Sequence, residues 1–165
     1  MPRTVFCVIL LFLAIGGQVY GRFITPWPYR QLTESSTVVV IGTRTKQFEV
    51  PVSFTDKRWP LKFQGIVTVF EVQHVVKGEP REKQIEILHF KAVLPRDSDA
   101  IEDGPMLVDF SSKDTLPNGQ RGGREQERQE FLLFLKLSDG GRYEPVSGRI
   151  DPVLSVRRLR SPFPD

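Results

Sequence analysis

The two histidines are the side chains of this sequence with the widest range of chemistry. His74 and His89 are the only two, and a neutral imidazole can bind a metal ion or transfer a proton near neutral pH. If the strands that carry them pair, the two rings approach each other, and with an Asp or Glu they would form a metal site or the centre of a metal-dependent enzyme. Both lie among apolar neighbours, and no third ligand falls in register with them. The alternative is that both line a β-barrel wall, in which case we expect no metal, no cofactor and no catalytic residue.

An acidic segment follows, with the pattern Asp97-x-Asp99-x-x-Glu102-Asp103-Gly104. Carboxylate oxygens are the ligands that calcium prefers. The spacing differs from that of the EF-hand loop, which needs a glycine at its sixth position and a glutamate at its twelfth. A solvated acidic loop therefore explains these residues without a bound cation.

Arginines form two further groups. Arg121, Arg124 and Arg128 alternate with acids and glutamines, and Arg157-Arg158-x-Arg160 lies close to the end of the chain. The second group could dock on an anionic polymer, although charged side chains at a strand edge also discourage aggregation between strands. The sequence contains no nucleophile elbow, phosphate-binding glycine loop, dinucleotide fingerprint or zinc-protease helix. We therefore expect a binding protein rather than an enzyme.

The composition is that of one soluble globular domain. A chain of 165 residues, 39% hydrophobic and 26% charged, is long enough to bury a core. Its apolar residues are mainly Val, Leu, Ile and the 12 Phe, which favours strands over helices. The formal charge of +3 is a mild excess, and we expect no nucleic-acid partner.

Residues 1–21 have the organisation of a secretory signal peptide. Arg3 precedes an apolar run of 11 residues, 5–15, and Gly16-Gly17-Gln18-Val19-Tyr20-Gly21 follows, with Val19 and Gly21 at the minus-three and minus-one positions of a cleavage site. The run is shorter than the roughly 20 residues that span a bilayer, so we expect cleavage and no membrane span, with an uncleaved anchor as the alternative. The single cysteine, Cys7, lies inside the apolar run. The mature chain would then be secreted or periplasmic and free of disulfides.

Residues 131–137 form the pattern that predicts the centre of the fold. Seven nearly unbroken apolar residues, closed by Ser138-Asp139-Gly140-Gly141, are typical of a central strand that enters a hairpin. Phe131, Leu133, Leu135 and Leu137 would share one face, with Leu132 and Phe134 on the other. Both faces should therefore be largely buried.

Four further strands are predicted before this one in the sequence. Residues 37–43 are β-branched throughout, and 47–54 alternate apolar and polar residues, with Pro51 confining them to a sheet edge. Residues 63–77 form the longest candidate, and a slip in their pattern predicts a bulge near Gln73 and His74. Residues 84–90 return as its hairpin partner.

The remaining residues are predicted to connect these strands. The prolines around Trp27 predict that residues 22–36 form an extended N-terminal arm, with one helical turn possible at 31–36. Residues 56–62, with Trp59, should be a loop, and residues 91–128 a long connection within a single β domain, 37–159. A short strand is predicted within that connection at 106–110 and a last one at 153–159. The tail, 160–165, should fray.

Several short segments resemble a family of small exported bacterial proteins of unknown function, over most of residues 37–159. The segments are Val38-Val39-Val40-Ile41-Gly42-Thr43, Phe70-x-Val72-x-x-Val75-Val76-Lys77-Gly78, Gly104-Pro105-Met106-Leu107-Val108-x-Phe110, Phe131-Leu132-Leu133-Phe134-Leu135, Gly141-Arg142-Tyr143-x-Pro145-Val146-Ser147-Gly148, Asp151-Pro152 and Ser155-Val156. The order of strands is also similar to that of the small five-stranded OB and netrin-like barrels, although the netrin-like proteins rely on disulfides. The resemblance implies no catalytic residues.

We predict an all-β fold, a small and partly closed antiparallel β-barrel of OB-like type, with an immunoglobulin-like β-sandwich as the alternative. The predicted function is that of an exported, non-enzymatic module that binds a protein or an envelope polymer. The alternatives are a structural or inhibitory cap of another secreted protein, and the metal-dependent enzyme described above. Loops on a rigid scaffold often carry binding residues. The predicted partner surface therefore consists of Trp59, Asp97, Asp99, Glu102, Asp103, Arg121, Arg124 and Arg128.

Overall fold

The computed structural model describes residues 24–94, 104–110 and 129–159. One helix, α1 (Tyr29–Ser35), precedes six strands, and a 3₁₀ turn (Pro152–Ser155) comes just before the last of them. The strands are β1 (Val38–Asp56), β2 (Trp59–Lys77), β3 (Gln84–Val93), β4 (Glu130–Leu137), β5 (Tyr143–Pro145) and β6 (Val156–Arg158). The predicted all-β fold is confirmed.

The six strands form one sheet that curls round on itself. Their order is β1-β2-β3-β5-β4-β6, and β1 also pairs with β4, so the neighbours run from β1 through β2, β3, β5 and β4 back to β1. All pairings are antiparallel except β3 with β5, which are parallel and meet only at Ile87 and Tyr143. This ring is the predicted small, partly closed β-barrel, formed by one curled sheet rather than by the two packed sheets of the alternative. The similarity to OB barrels stays a prediction.

The strand predicted to lie at the centre does so. β4 pairs with β1 on one side and with β5 and β6 on the other. Leu133 and Leu135 are fully buried and face the barrel interior, whereas Phe134 is buried against α1. Burial on both faces follows from the unbroken apolar sequence of this strand.

The barrel interior, here called the central core, is built around three phenylalanines. The Phe110 ring lies 5.0 Å from the Phe70 ring and 5.3 Å from the Phe131 ring, in edge-to-face contacts. Ile85 and Ile87 on β3 complete this part of the core. Phe110 was predicted to lie in a short strand at 106–110. That prediction is wrong, because residues 104–110 form no strand, although Val108 and Phe110 are buried in the core.

A second cluster, the side core, lies where the long β1–β2 hairpin coils back over β3. Trp59, Phe63, Leu88 and Phe90 are among its members. The register of β1 and β2 shifts at five places, with one or two extra residues at each shift, and such irregularities strengthen the twist of the hairpin. One extra residue is Gln73, opposite the step from Ile41 to Gly42, which confirms the predicted bulge.

Helix α1 covers the outer face of β1 and β4. Leu32 packs with Val39, Phe134 and Val146, and Trp27 lies against the same cluster. Lys77 Nζ donates to the carbonyls of Thr33, at 2.5 Å, and Ser36, at 2.7 Å, so its charge lies at the negative end of the helix. The arm is therefore extended only at residues 24–28, and the helical turn begins two residues earlier than predicted.

Two further boundaries differ from the predictions. The loop predicted at 56–62 is only a turn at Lys57 and Arg58, and β2 already begins at Trp59. The reason is that the Trp59 ring is buried in the side core, which places its backbone in the strand. The strand predicted at 153–159 shrinks to β6, because Pro152 favours the first position of a 3₁₀ turn. Across the described ranges, no helix has the length and apolar content needed to cross a bilayer.

Candidate functional site: a cleft at the unclosed end of the barrel

A cleft of about 560 Å³ lies at the end of the barrel where the ring of strands stays open. We call it the barrel cleft. Its first wall consists of Arg44, Gln47, Phe48 and Glu49, all from β1. Gln47 and Glu49 project to the interior face beside Thr68 and Ile66, their ladder partners on β2. Phe48 projects to the other face and is 39% exposed.

The second wall consists of four consecutive residues of β3 and three residues from the segment before the central strand. These are His89, Phe90, Lys91 and Ala92, with Leu107, Val108 and Asp109. Apolar side chains from both walls thus stand beside charged ones. A cleft of this kind can enclose apolar groups while its rim selects polar or charged ones.

His89 forms the polar floor of the barrel cleft and is only 2% exposed. Its Nε2 lies 2.8 Å from Thr68 Oγ1, and this hydroxyl donates to Gln47 Oε1 at 3.2 Å. Which of these two atoms donates depends on the tautomer of the ring. Nδ1 is buried and has no hydrogen-bond partner among the described residues. The floor therefore presents an unpaired polar nitrogen.

Burial lowers the pKa of His89 from 6.5 to about 4. The Asp109 carboxylate and the backbone of Val108 oppose this shift by favouring the charged ring, although the Val108 geometry leaves Nδ1 without a hydrogen bond. The free-energy cost of removing an imidazolium from water is larger than the stabilisation that these two groups give to the charged ring. The ring is therefore neutral at physiological pH, with one N–H donor and one acceptor nitrogen.

Charges of both signs surround the mouth of the barrel cleft. Lys91 Nζ on β3 forms an ion pair with Glu49 Oε1 on β1, and both side chains are about half exposed. An exposed pair of this kind contributes little to stability, on the order of 0–1 kcal/mol. A ligand can therefore replace either partner of this ion pair at a low cost in free energy.

A second cleft, of about 470 Å³, lies beside the turn between β4 and β5. Its two arginines are already paired: Arg149 Nη2 lies 3.1 Å from Glu144 Oε1, and Arg142 Nε lies 2.9 Å from Glu86 Oε2. The Arg149 guanidinium also stacks over the Phe90 ring at 5.4 Å. These contacts hold the turn against the side core, and we do not assign a ligand to this cleft.

The structure does not bring the two histidines together. His74 pairs with Ile41 on β1, whereas His89 pairs with Ile66 on β2. Eight residues along β2 separate the two positions, which is about 26 Å of strand. Within the ranges that the structure describes, no group of three His, Cys, Asp or Glu side chains is placed to hold a metal.

Of the predicted partner surface, only Trp59 falls within the described residues. It is 8% exposed and packs in the side core, so it offers no open aromatic face, and Arg58 stacks over its ring at 4.7 Å. Seven residues lie outside the described ranges: Asp97, Asp99, Glu102, Asp103, Arg121, Arg124 and Arg128.

The residues of the barrel cleft were missed as a site because each looks ordinary in sequence. Gln47, Glu49 and Lys91 occupy polar positions of alternating strands, as solvent-exposed residues do. Only the strand register places Lys91 beside Glu49, 42 residues earlier. The one local signal was His89, a titratable residue within the apolar pattern of β3.

Comparison with known protein families, characterised proteins and solved structures finds no match for this chain. Its resemblance to small exported bacterial proteins and to netrin-like barrels stays a prediction. The functional proposal therefore depends on the fold and on the side chains of the barrel cleft.

Proposed function

We propose that this chain is an exported, non-enzymatic module that binds a protein or an envelope polymer in the barrel cleft. The observation that carries this proposal is the buried ring nitrogen His89 Nδ1, which has no partner among the described residues, on the floor of an open cleft. A buried polar atom without a partner costs about 1–3 kcal/mol. A ligand that forms a hydrogen bond with Nδ1 would recover that cost.

The apolar part of the cleft supports the same function. Phe48 stands exposed at the rim, and Phe90 and Leu107 lie deeper. Burial of such side chains by a ligand contributes about 25 cal/mol per Å² of apolar surface. The Lys91–Glu49 pair at the mouth offers one charge of each sign to polar groups of the ligand.

The test is capture of a partner from an envelope extract by the immobilised chain, with variants that separate the barrel cleft from the rest of the surface. Phe48→Ser and Lys91→Ala change the rim of the cleft. Tyr29→Ser is the matched control, because Tyr29 is an exposed aromatic residue on α1, outside the cleft. All three side chains are exposed enough for the fold to survive.

We expect Phe48→Ser and Lys91→Ala to weaken the captured partner's binding about tenfold, and Tyr29→Ser to leave it unchanged. The partner is identified by mass spectrometry, and its affinity for each variant is measured with the purified molecules. Equal capture by the parent chain and both cleft variants would place the binding surface elsewhere and overturn the proposal.

A further inference from the structure

The barrel cleft lies between two strand edges that have no partner. β4 pairs with β1 from Val38 to Thr43 only, and beyond Thr43 no described strand lies on the side of β1 away from β2. β3 is similar, because its contact with β5 is the single pair at Ile87, and no described strand continues along that side. The ring is thus closed at one end and open at the other.

The identity of the lining residues shows that the cleft follows these edges. Successive residues of a strand point to opposite faces. The cleft is nevertheless lined by consecutive residues, 47–49 on β1 and 89–92 on β3. A cavity over one face of the sheet would contact only every second residue, so this cavity runs along the edges of the backbone.

We infer that an extended peptide segment of a partner protein binds in the barrel cleft as an added β-strand, paired with the edge of β1 at residues 44–49. This inference rests on the proposed function and specifies its ligand. An unpaired edge presents N–H and C=O groups that an extended backbone can satisfy. Six residues of strand are about 17–20 Å long, which sets the length of peptide engaged.

Continuity with the existing sheet supports this occupant. β4 pairs antiparallel with β1 and ends, at Glu130, opposite Thr43. A strand added beyond this point continues the line of β4 along β1. Its side chains would point alternately towards the central core, where His89 Nδ1 has no described partner, and outwards, where Phe48 is exposed.

The charges along the edge specify the chemistry of the peptide. Lys46 lies on the exposed edge, its Nζ 5.9 Å from the centre of the Phe48 ring, and no described carboxylate forms an ion pair with it. By contrast, the carboxylate of Glu49 is already paired with Lys91. The unpaired charge of this edge is therefore positive, and we expect the peptide to carry an Asp or Glu near Lys46.

The β1 strand offers a position at which strand addition can be blocked without breaking the sheet. Thr45 is the extra residue of a bulge, because its neighbours Arg44 and Lys46 pair with the consecutive residues Phe70 and Val69. A proline is tolerated at a bulge but blocks pairing along an edge. Thr45→Pro is therefore the blocking variant. Thr45→Ala is its matched control, since both lose the 3.1 Å hydrogen bond from Thr45 Oγ1 to Val69 O.

The probe is a displayed library of random peptides of about ten residues, enough to exceed the length of the edge. Peptides that bind the purified chain and lose affinity with Phe48→Ser are resynthesised with N-methyl groups on alternate amides. We expect one N-methylated set to bind at least about tenfold more weakly, because it removes the donors aimed at β1. We also expect the selected peptides to bind Thr45→Pro more weakly than the parent chain, and Thr45→Ala as tightly. Bound peptide should slow amide hydrogen exchange at residues 44–49. The selected peptides should contain Asp or Glu, and Lys46→Glu should weaken their binding.

The outcomes separate this inference from the proposed function. Peptides that need Phe48 but tolerate both N-methylated sets and Thr45→Pro would overturn strand addition and leave a side-chain binding site. Failure to select any cleft-dependent peptide, while an envelope polymer is captured through the same residues, would also overturn it. A self-association of the chain that Thr45→Pro abolishes would make a second copy the occupant and overturn the peptide partner. If Thr45→Pro does not fold, the N-methylated peptides decide the question alone.

Discussion

His89 Nε2 lies 2.8 Å from Thr68 Oγ1 across two adjacent strands, and both side chains are almost completely buried. The contact fixes one nitrogen of the ring and leaves the other for a ligand. It also places a titratable group in the interior, with consequences for the response of the protein to pH.

We expect the fold to lose stability as the pH falls from 6.5 towards 4. His89 has a pKa of about 4 in the folded chain and 6.5 as its ordinary value, so between these limits the unfolded chain binds the extra proton. The free energy of unfolding therefore decreases as the pH falls from 6.5 to 4, by about 3 kcal/mol in total. Below pH 4 both states are protonated and this contribution is lost.

Urea unfolding at a series of pH values measures this effect. His89→Gln keeps a polar contact available to Thr68 but does not titrate, so the comparison removes the contribution of the carboxylates. The parent chain should lose more stability than this variant between pH 6.5 and 4. Parallel pH profiles for the two proteins would contradict the predicted protonation.

A carboxylate in the centre of β4 should abolish or nearly abolish folding. Leu133 is fully buried in the central core, and Leu133→Asp leaves an unpaired charge there. We expect a loss of more than about 4 kcal/mol. Lys136→Asp, at an exposed position of the same strand, is the control and should change stability little. Thermal unfolding of the two variants by circular dichroism checks the difference.

Two glycines with positive φ should differ sharply in their tolerance of alanine. A Cβ at Gly78 would lie 2.2 Å from Thr37 O, whereas one at Gly148 meets nothing within 4 Å. Both substitutions carry the strain of a positive φ, roughly 1–2 kcal/mol. We expect Gly78→Ala to cost clearly more, because β1 must move away from the turn. Equal melting temperatures for the two variants would show that the turn relaxes freely.

The link between Lys77 and helix α1 should be measurable as stability of the helix. Lys77→Met keeps much of the apolar stem but removes the donor to Thr33 and Ser36. We expect a loss of about 1–3 kcal/mol and increased hydrogen exchange in α1. Lys62→Met, at an exposed position of the same strand, should lie within about 0.5 kcal/mol of the parent chain.

The sequence predicts the scaffold well where a local pattern decides the structure. The run 131–137 is apolar on both faces, and only a central strand or a buried helix accommodates such a run. Its seven residues and the following Asp-Gly-Gly select the strand. The bulge at Gln73 was visible for the same reason, because the alternation along β2 shifts at that point.

The site depends on relationships that no local pattern contains. Glu49 and Lys91 meet because β1 and β3 both pair with β2 in one register, and the open edges exist because β4 begins too late to accompany the whole of β1. Trp59 was assigned to a loop because its flanking charges and Pro60 suit a turn. In the structure its indole is buried in the side core, and Trp59 is the first residue of β2.

The double pairing of β1 also shapes how the chain folds. Its partnership with β2 is local and requires only a two-residue turn, whereas Thr37 contacts Leu135, 98 residues away. Loop-closure entropy therefore opposes the second partnership until the β1–β2–β3 meander exists to receive β4. We therefore expect the docking of β4 to be the slow step of folding. Until that step, the edge of β1 at residues 38–43 is also open, so competing strands can pair there in a newly synthesised chain.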